Sequence, residues 1–467
     1  MPPFLALMLW LFMLVALFLF DPANERGTSL ALWVPVTWMF ILGTRLPSQW
    51  LRLHGVEEGA QAIQEGDPID RTVFLILIAL AIGILMSRSF SRAYLVTHNV
   101  ALMAFLAFSL LSITWSDFPV VAFKRWIRDL GNYFMILAVL SDPRPLQATR
   151  TLLRRLCYLI IPLSILLVKY FPEIARSWDP WTGLGLNSGA TTSKNMLGVV
   201  CLISGLFFFW DTIVVWADRG KPRTKQIILV NAAFLAMTLW LLRASHSATS
   251  ELCLALGWMV ILAARSHLFQ RWPRVLKVMV PAGFLLYLYL AFGLGYNTEL
   301  TAAVGRSATL TDRTLIWSLL LSMQHHPVIG TGYESFWLGP RLLSIWEQFG
   351  SINEAHNGYI EVYLNLGAIG LCLLVAFLIG SYRTICKQLK PLSEFGSLAL
   401  AIWTVFIFHS LTEADFRGGP LWLALLLATT VVASPIEERA RSVEVAANES
   451  APDTLPSFHL ESTGPWR

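Results

Sequence analysis

Runs of apolar residues recur from one end of the chain to the other, each closed by a short polar stretch. They are about 15–22 residues long, near the helical length needed to cross a bilayer. The segments are 3–20, 29–45, 71–87, 97–115, 126–140, 152–169, 195–216, 226–242, 247–264, 275–295, 357–380, 397–413 and 419–433. The pattern predicts an all-α polytopic transmembrane bundle of about twelve to thirteen helices, with 126–140 a tilted or half-buried piece. The first run has no positively charged flank and no small-residue cleavage site, so it reads as a retained helix rather than a signal peptide.

Two stretches depart from this rhythm. Residues 296–356 form the one long segment between apolar runs, and segments of that length are usually functional or disordered. Its aromatics and glycines, with helical patterns over Thr311–Met323 and Arg341–Phe349, mark an ordered lid. In the second helix Leu342, Leu343, Ile345, Trp346 and Phe349 fall mostly on one side, which suits an interfacial helix. The tail 434–467 is rich in Ser, Pro and Glu and poor in apolar residues, and reads as disordered. The expected organisation is therefore a transmembrane domain over 1–433, with 296–356 as its one long loop, followed by the tail.

Composition agrees with a membrane protein. Of 467 residues 55% are hydrophobic and 14% charged, with mean hydropathy +0.59; a soluble domain carries about 25% charged residues. The net charge of +5 does not indicate nucleic acid, because the basic residues gather in short connections between apolar runs. The segments 141–155, 217–225, 265–277 and 381–391 carry Arg144, Arg150, Arg154, Arg155, Arg219, Lys221, Arg223, Lys225, Arg265, Arg271, Arg274, Lys277, Arg383, Lys387 and Lys390. These segments alternate consistently, so all four face the cytoplasm by the positive-inside rule. The segments between them then face outward, 296–356 included. The five cysteines have no metal-ligand spacing, and neither a disulfide nor a metal is expected.

The candidate chemistry lies in HNGYIEVYLNLGAIG, residues 356–370. His356, Ile360, Tyr363, Gly367 and Gly370 share one face at the helical period. Gly367 lies about 16 Å below His356 at 1.5 Å per residue. Small residues at that depth would admit a second membrane helix. An imidazole titrates near neutrality and can take a proton from a hydroxyl nucleophile. His246, His325 and His326 also face outward and read as structural.

Outward-facing cations run against the topology rule and each needs a reason. They are Arg125, Arg128, Lys194, Arg243, Arg306 and Arg313, and all are expected to converge near His356. Guanidinium forks match phosphate oxygens, so the set suits a lipid-linked phosphate or pyrophosphate. Each could instead pair with a headgroup or with Asp117, Asp129, Asp312 or Glu354. Glu361 and Glu413, at or near membrane depth, need partners, either in the Arg set or along an ion pathway. There is no P-loop, no strand-borne GxGxxG and no outward Asp-x-Asp pair for a metal and a nucleotide-sugar.

With these residues in view, the chain resembles the O-antigen ligase and Wzy-type polymerase superfamily. The HN-x9-G-x-x-G run at 356–370 matches its signature. SITWSDFPVVAFKRW (112–126), GATTSKNMLG (189–198), SHSATS (245–250) and DRTLIWSLLLSMQHHPVIGTGYESFW (312–337) resemble the branch that polymerises succinoglycan-type exopolysaccharide. Ser193 departs from relatives that carry a His before the Lys-Asn pair. The resemblance implies a GT-C-like glycosyltransferase in the bacterial inner membrane, with its active site facing the periplasm. It would be metal-independent, inverting and free of cofactors. Its donor would be an oligosaccharide on undecaprenyl pyrophosphate, with membrane lipids around it and a chain-length co-polymerase and export machinery as partners. Carried over by position, His356 would orient or deprotonate the acceptor hydroxyl and Arg313 would hold the pyrophosphate. Arg243, Arg306, Arg128, Lys194, Asn195, Asn357 and Trp317 would bind substrate. A ligase using the same chemistry, and a polysaccharide transporter, are the alternatives. A transporter would favour internal repeats and midplane ionisable groups, and the sequence has no such repeat.

Overall fold

The apolar runs become helices, and the packing of these helices decides which faces meet protein. The computed structural model describes residues 1–21, 29–51, 66–88, 99–178, 185–217, 219–220, 223–294, 309–389 and 394–432. The helices are α1 (Pro3–Phe20), α2 (Trp33–Gly43), α3 (Pro68–Ser87), α4 (Val100–Leu111), α5 (Pro119–Leu140) and α6 (Pro145–Tyr170). A two-stranded antiparallel hairpin follows, β1 (Arg176–Trp178) and β2 (Gly185–Asn187). Then come α7 (Lys194–Ala217), α8 (Thr224–Ser245), α9 (Ala248–Arg265), α10 (Pro273–Leu288), α11 (Thr309–Ser322), α12 (Gly339–Phe349), α13 (Gly358–Gln388), α14 (Glu394–His409) and α15 (Pro420–Val432). Eight helices among the described residues are long and apolar enough to cross a membrane, and several shorter apolar ones pack among them. The chain is an all-α, polytopic membrane bundle.

Helices α7, α14 and α15 form its centre, with α9 against α7 and α14. Every residue of α15 from Leu421 to Thr430 is buried. Helix α1 is equally apolar, yet Ala6 alone of its residues is buried. Its bare leucines and phenylalanines therefore suit lipid.

Three features differ from the sequence expectation. The segment 141–155 is not a loop: α6 starts at Pro145, and Arg154 is buried inside the bundle. Its guanidinium pairs with Asp211 of α7, to which Arg150 and Asn231 also donate. The Arg154 charge thus has a structural partner, which the charge rule does not detect.

The second difference is in α13. Gly367 sits at φ 65° and ψ −165°, a break inside the helix. The backbone groups that it frees are taken by the segment before α12. Ala368 N–H donates to Pro327 O at 2.9 Å, Ile369 N–H to Val328 O at 3.1 Å, and Leu364 and Asn365 carbonyls accept from Thr331 and Gly332. A Cβ on Gly367 would lie 2.4 Å from the Val328 carbonyl. The glycine therefore admits a loop backbone rather than a second membrane helix, and irregular backbone at this depth is tolerated because protein covers it. The single face from His356 to Gly370 is not continuous. Helix α13 begins only at Gly358, with Asn357 as N-cap, and the turn changes at Gly367.

The third difference concerns α12. Its apolar side is not laid on the membrane surface. Leu342 and Ile345 join Ile316, Leu320, Phe336 and Trp337 in a small second core roofing the start of α13. Of the expected lid, residues 309–356 are described, and what this part covers is protein.

Candidate active site at one end of the bundle

The N-terminal ends of α7, α9, α13 and α15 meet the C-terminal end of α14. Here the span expected over 397–413 stops early: α14 ends at His409, and residues 410–418 form turns leading into α15. This connection holds the site together. Ser410 O accepts from Gly358 N–H at 2.8 Å, Leu411 O from Asn357 Nδ2 at 3.1 Å, and Thr412 O from Arg313 Nη1 at 2.8 Å. It is fixed from below by buried His409, whose Nδ1 lies 2.8 Å from Asp415 Oδ2 and whose Nε2 lies 3.4 Å from Ser250 Oγ.

Glu413 points from this connection into the site. Its Oε1 accepts from Asn195 Nδ2 at 3.0 Å and lies 3.6 Å from Arg313 Nη2. Its Oε2 lies 3.7 Å from His356 Nδ1, and Glu354 Oε1 reaches the same nitrogen at 3.1 Å. His356 takes a left-handed backbone conformation, φ 47°, which turns the chain into α13. The Asn357 side chain accepts from Tyr359 and Ile360 N–H as the helix cap. The resulting electrostatics follow from burial against charge. Burial disfavours an imidazolium, but the Glu354 and Glu413 carboxylates outweigh it and lift His356 from 6.5 to about 9. Burial likewise opposes the Glu413 charge, while His356 and Arg313 outweigh it and hold its carboxyl below the usual range.

Donor atoms of Glu354, His356 and Glu413 lie within 4.8 Å of one another, close enough to ligate a cation. Arg313 also lies 3.6 Å from Glu413, and His356 faces both carboxylates, so the same atoms form an ion-pair cluster.

A second network lies alongside. Arg417 donates to Glu334 Oε2 from Nε and Nη2, at 3.3 and 3.2 Å, and approaches Glu361 Oε1 at 3.8 Å. Glu361 in turn accepts from Trp337 Nε1 at 2.6 Å, from Asn365 Nδ2 at 3.2 Å and from Ala355 N–H at 3.0 Å. The Ala355 bond anchors the turn that carries His356. Arg125 donates to Glu334 O at 2.6 Å. Tyr333 O–H donates to Asp129 Oδ2 at 2.7 Å. Burial would raise the Glu334 carboxyl; Arg417, Arg125 and Arg128 outweigh it and hold it low.

The expected site residues thus divide. His356, Arg313 and Asn195 meet at Glu413, and Lys194 precedes Asn195 at the start of α7. Asn357 caps α13, and Trp317 Nε1 donates to Ala355 O at 2.8 Å; both shape the site through its backbone. Arg128 pairs with Asp129 and Arg125 with Glu334, outside the His356 cluster. Arg243 does not join the cluster: it pairs with Glu251, and its side chain is 84% exposed. Arg306 and the tail 434–467 lie outside the described residues. Glu361 and Glu413 find partners in Arg417 and Arg313. The sequence reading missed Glu334, His409, Asp415 and Arg417. The fragment HSLTEADFRGG (409–419) is the signal that marks the last three, since a polar run so dense between two apolar spans requires partners.

The fold and this charged cluster define a class: multi-pass membrane proteins with a polar site built from the connections at one end of the helices. A family model described as O-Antigen ligase matches residues 231–375. Over 301 residues the chain is 27% identical to the exopolysaccharide production protein ExoQ of Rhizobium meliloti (strain 1021). The match covers 62% of this chain and 65% of that protein, just under two thirds of its length. Over these segments the chain is similar to O-antigen ligase-type and exopolysaccharide production proteins. The family match includes Arg313 and His356, whereas Glu413 and Arg417 lie beyond it.

Proposed function

We propose that the chain is a membrane glycosyltransferase that joins oligosaccharide repeat units carried on undecaprenyl pyrophosphate into exopolysaccharide, at the periplasmic face of the inner membrane. One observation carries the reading most: Arg313 and His356, from separate segments, meet at a single buried carboxylate, Glu413. A phosphate-matching guanidinium next to an imidazole is what such a transfer needs. The acceptor hydroxyl oxygen bonds to the anomeric carbon as the bond from that carbon to the pyrophosphate oxygen breaks. The electron pair leaves with the lipid pyrophosphate, and the hydroxyl proton passes to His356 Nε2. Nδ1 faces Glu354 and Glu413, which fixes Nε2 as the proton-accepting nitrogen, as a carboxylate does in other His-based sites. Arg313 stabilises the departing charge, the contribution that usually dominates such catalysis. The pyrophosphate is a ready leaving group, so the proposed step uses neither a metal nor a nucleotide. A co-polymerase and export machinery belong to the same proposal.

The test is reconstitution in liposomes with the host's undecaprenyl-pyrophosphate oligosaccharide. A ladder of multiples is expected, and His356→Gln or Arg313→Ala should lower its rate at least about 10²-fold, the scale of a lost general base or charge stabiliser. Single transfer only upon adding lipid A-core or protein would make the enzyme a ligase. Wild-type ladders in either variant would remove that residue from the mechanism.

A further inference from the structure

Glu413 is the one described side chain within reach of three expected site residues: Asn195, Arg313 and His356. It is buried, and it stands 3.6 Å from the guanidinium that the transfer reaction would turn toward pyrophosphate. A carboxylate in that place presents one anionic oxygen, Oε1, to the guanidinium, as a phosphate oxygen would. We propose that Glu413 is a positioning residue which occupies Arg313 in the resting site and is handed to His356 when donor pyrophosphate takes Arg313. The inference rests on the transferase reading above.

Charge and geometry argue for an exchange rather than simultaneous binding. Two negative groups on one guanidinium repel each other, and the entering pyrophosphate carries the greater charge. Glu413 has its other oxygen already 3.7 Å from His356 Nδ1, so losing Arg313 requires only a small turn of the carboxylate. Asn195 Nδ2 holds it meanwhile at 3.0 Å. Around His356 the other charged groups are Glu354, Arg313 and, one layer away, His409 beneath Glu413 and Arg417 near Glu354. Glu354 reaches the same imidazole nitrogen at 3.1 Å, but it contacts His356 and not Arg313, and its side chain is one-third exposed. Among the described residues only Glu413 links the two, so donor arrival at one group strengthens the counter-charge at the other. The arrangement makes proton uptake by His356 most favourable when a leaving group is bound.

The experiment uses full-length protein in liposomes, with inorganic pyrophosphate as the binding probe and the lipid-linked oligosaccharide as substrate. Glu413→Gln removes the charge and keeps the shape. Pyrophosphate is expected to bind about tenfold more tightly, and donor KM to fall alike, since an opposite charge within about 4–6 Å changes an equilibrium by one to three decades. At about pH 9.5, with the ring neutral, kcat should fall about tenfold or more because His356 has lost a counter-charge. A structural defect would not tighten pyrophosphate binding. Glu354→Gln should lower kcat and leave pyrophosphate affinity unchanged. Unchanged or weakened pyrophosphate binding in Glu413→Gln, or equal tightening in Glu354→Gln, would overturn the exchange. If Glu413→Gln is not recovered folded, Glu413→Asp retracts the same charge by one methylene, and both quantities should move the same way by less; no movement overturns it. A wild-type protein that binds pyrophosphate in this pattern yet transfers no glycan would sink the transferase reading alone.

Discussion

His356 shows how a single residue's setting fixes its chemistry. In water its imidazole would be largely neutral at pH 7; between Glu354 and Glu413 it holds its proton to about 9. As the proposed base in transfer, it would work only after releasing that proton. We therefore expect kcat/KM to climb from pH 7 and level off above about 9; a profile already flat at pH 7 would argue against a base at this position. Stability runs the other way. The folded value is raised, so the His356 charge contributes fully below the ordinary 6.5, and that contribution is lost as pH rises through about 9. Under the proposed function the protein should thus be most active where this residue stabilises it least, which thermal unfolding measured alongside activity would reveal.

At the scale of an element, α13 is the instructive case. Its sequence pattern is a membrane helix with two glycines, and small residues in membranes usually serve helix contacts. Here the positive φ of Gly367 breaks the helix so that residues 327–332 can bond to it. Gly367→Val should destabilise the protein by about 1–3 kcal/mol or more, from backbone strain alone, with the Val328 carbonyl clash added. A Cβ placed on Gly380 would meet open space, so Gly380→Ala is the matched control, expected to be near neutral. Equal thermal stability of the two variants would show that the break is not needed. The connection 410–418 makes the same point differently. Its polar residues sit between two spans, and the apolar count runs 397–413 together although the helix stops at His409.

For the whole molecule, orientation in the membrane is what connects site to substrate. Arg313, His356 and Glu413 gather at one end, and the basic C-terminal end of α13, with Arg383 and Lys387, lies at the other. A reporter fused at Gly350 is expected to read periplasmic and one at Gln388 cytoplasmic. The reverse result would put the site on the wrong side for a lipid-linked donor that has been flipped outward.

Much of this was legible in the chain. Apolar run length determined the helices, because a bilayer leaves the backbone few other ways to satisfy its hydrogen bonds. The HN pair and the Arg before TLIW marked two site residues for what their side chains can do. Tertiary structure decided the rest. Lipid and protein interior are equally apolar to a leucine, so nothing in their composition separates α1 at the edge from α15 at the centre. Charge partners are likewise non-local: Arg154 finds Asp211, Arg243 stays with Glu251, and Glu413 collects Asn195, Arg313 and His356. Ion pairing depends on distances in space that sequence spacing does not contain, so the cluster exists only once the connections between helices have folded together.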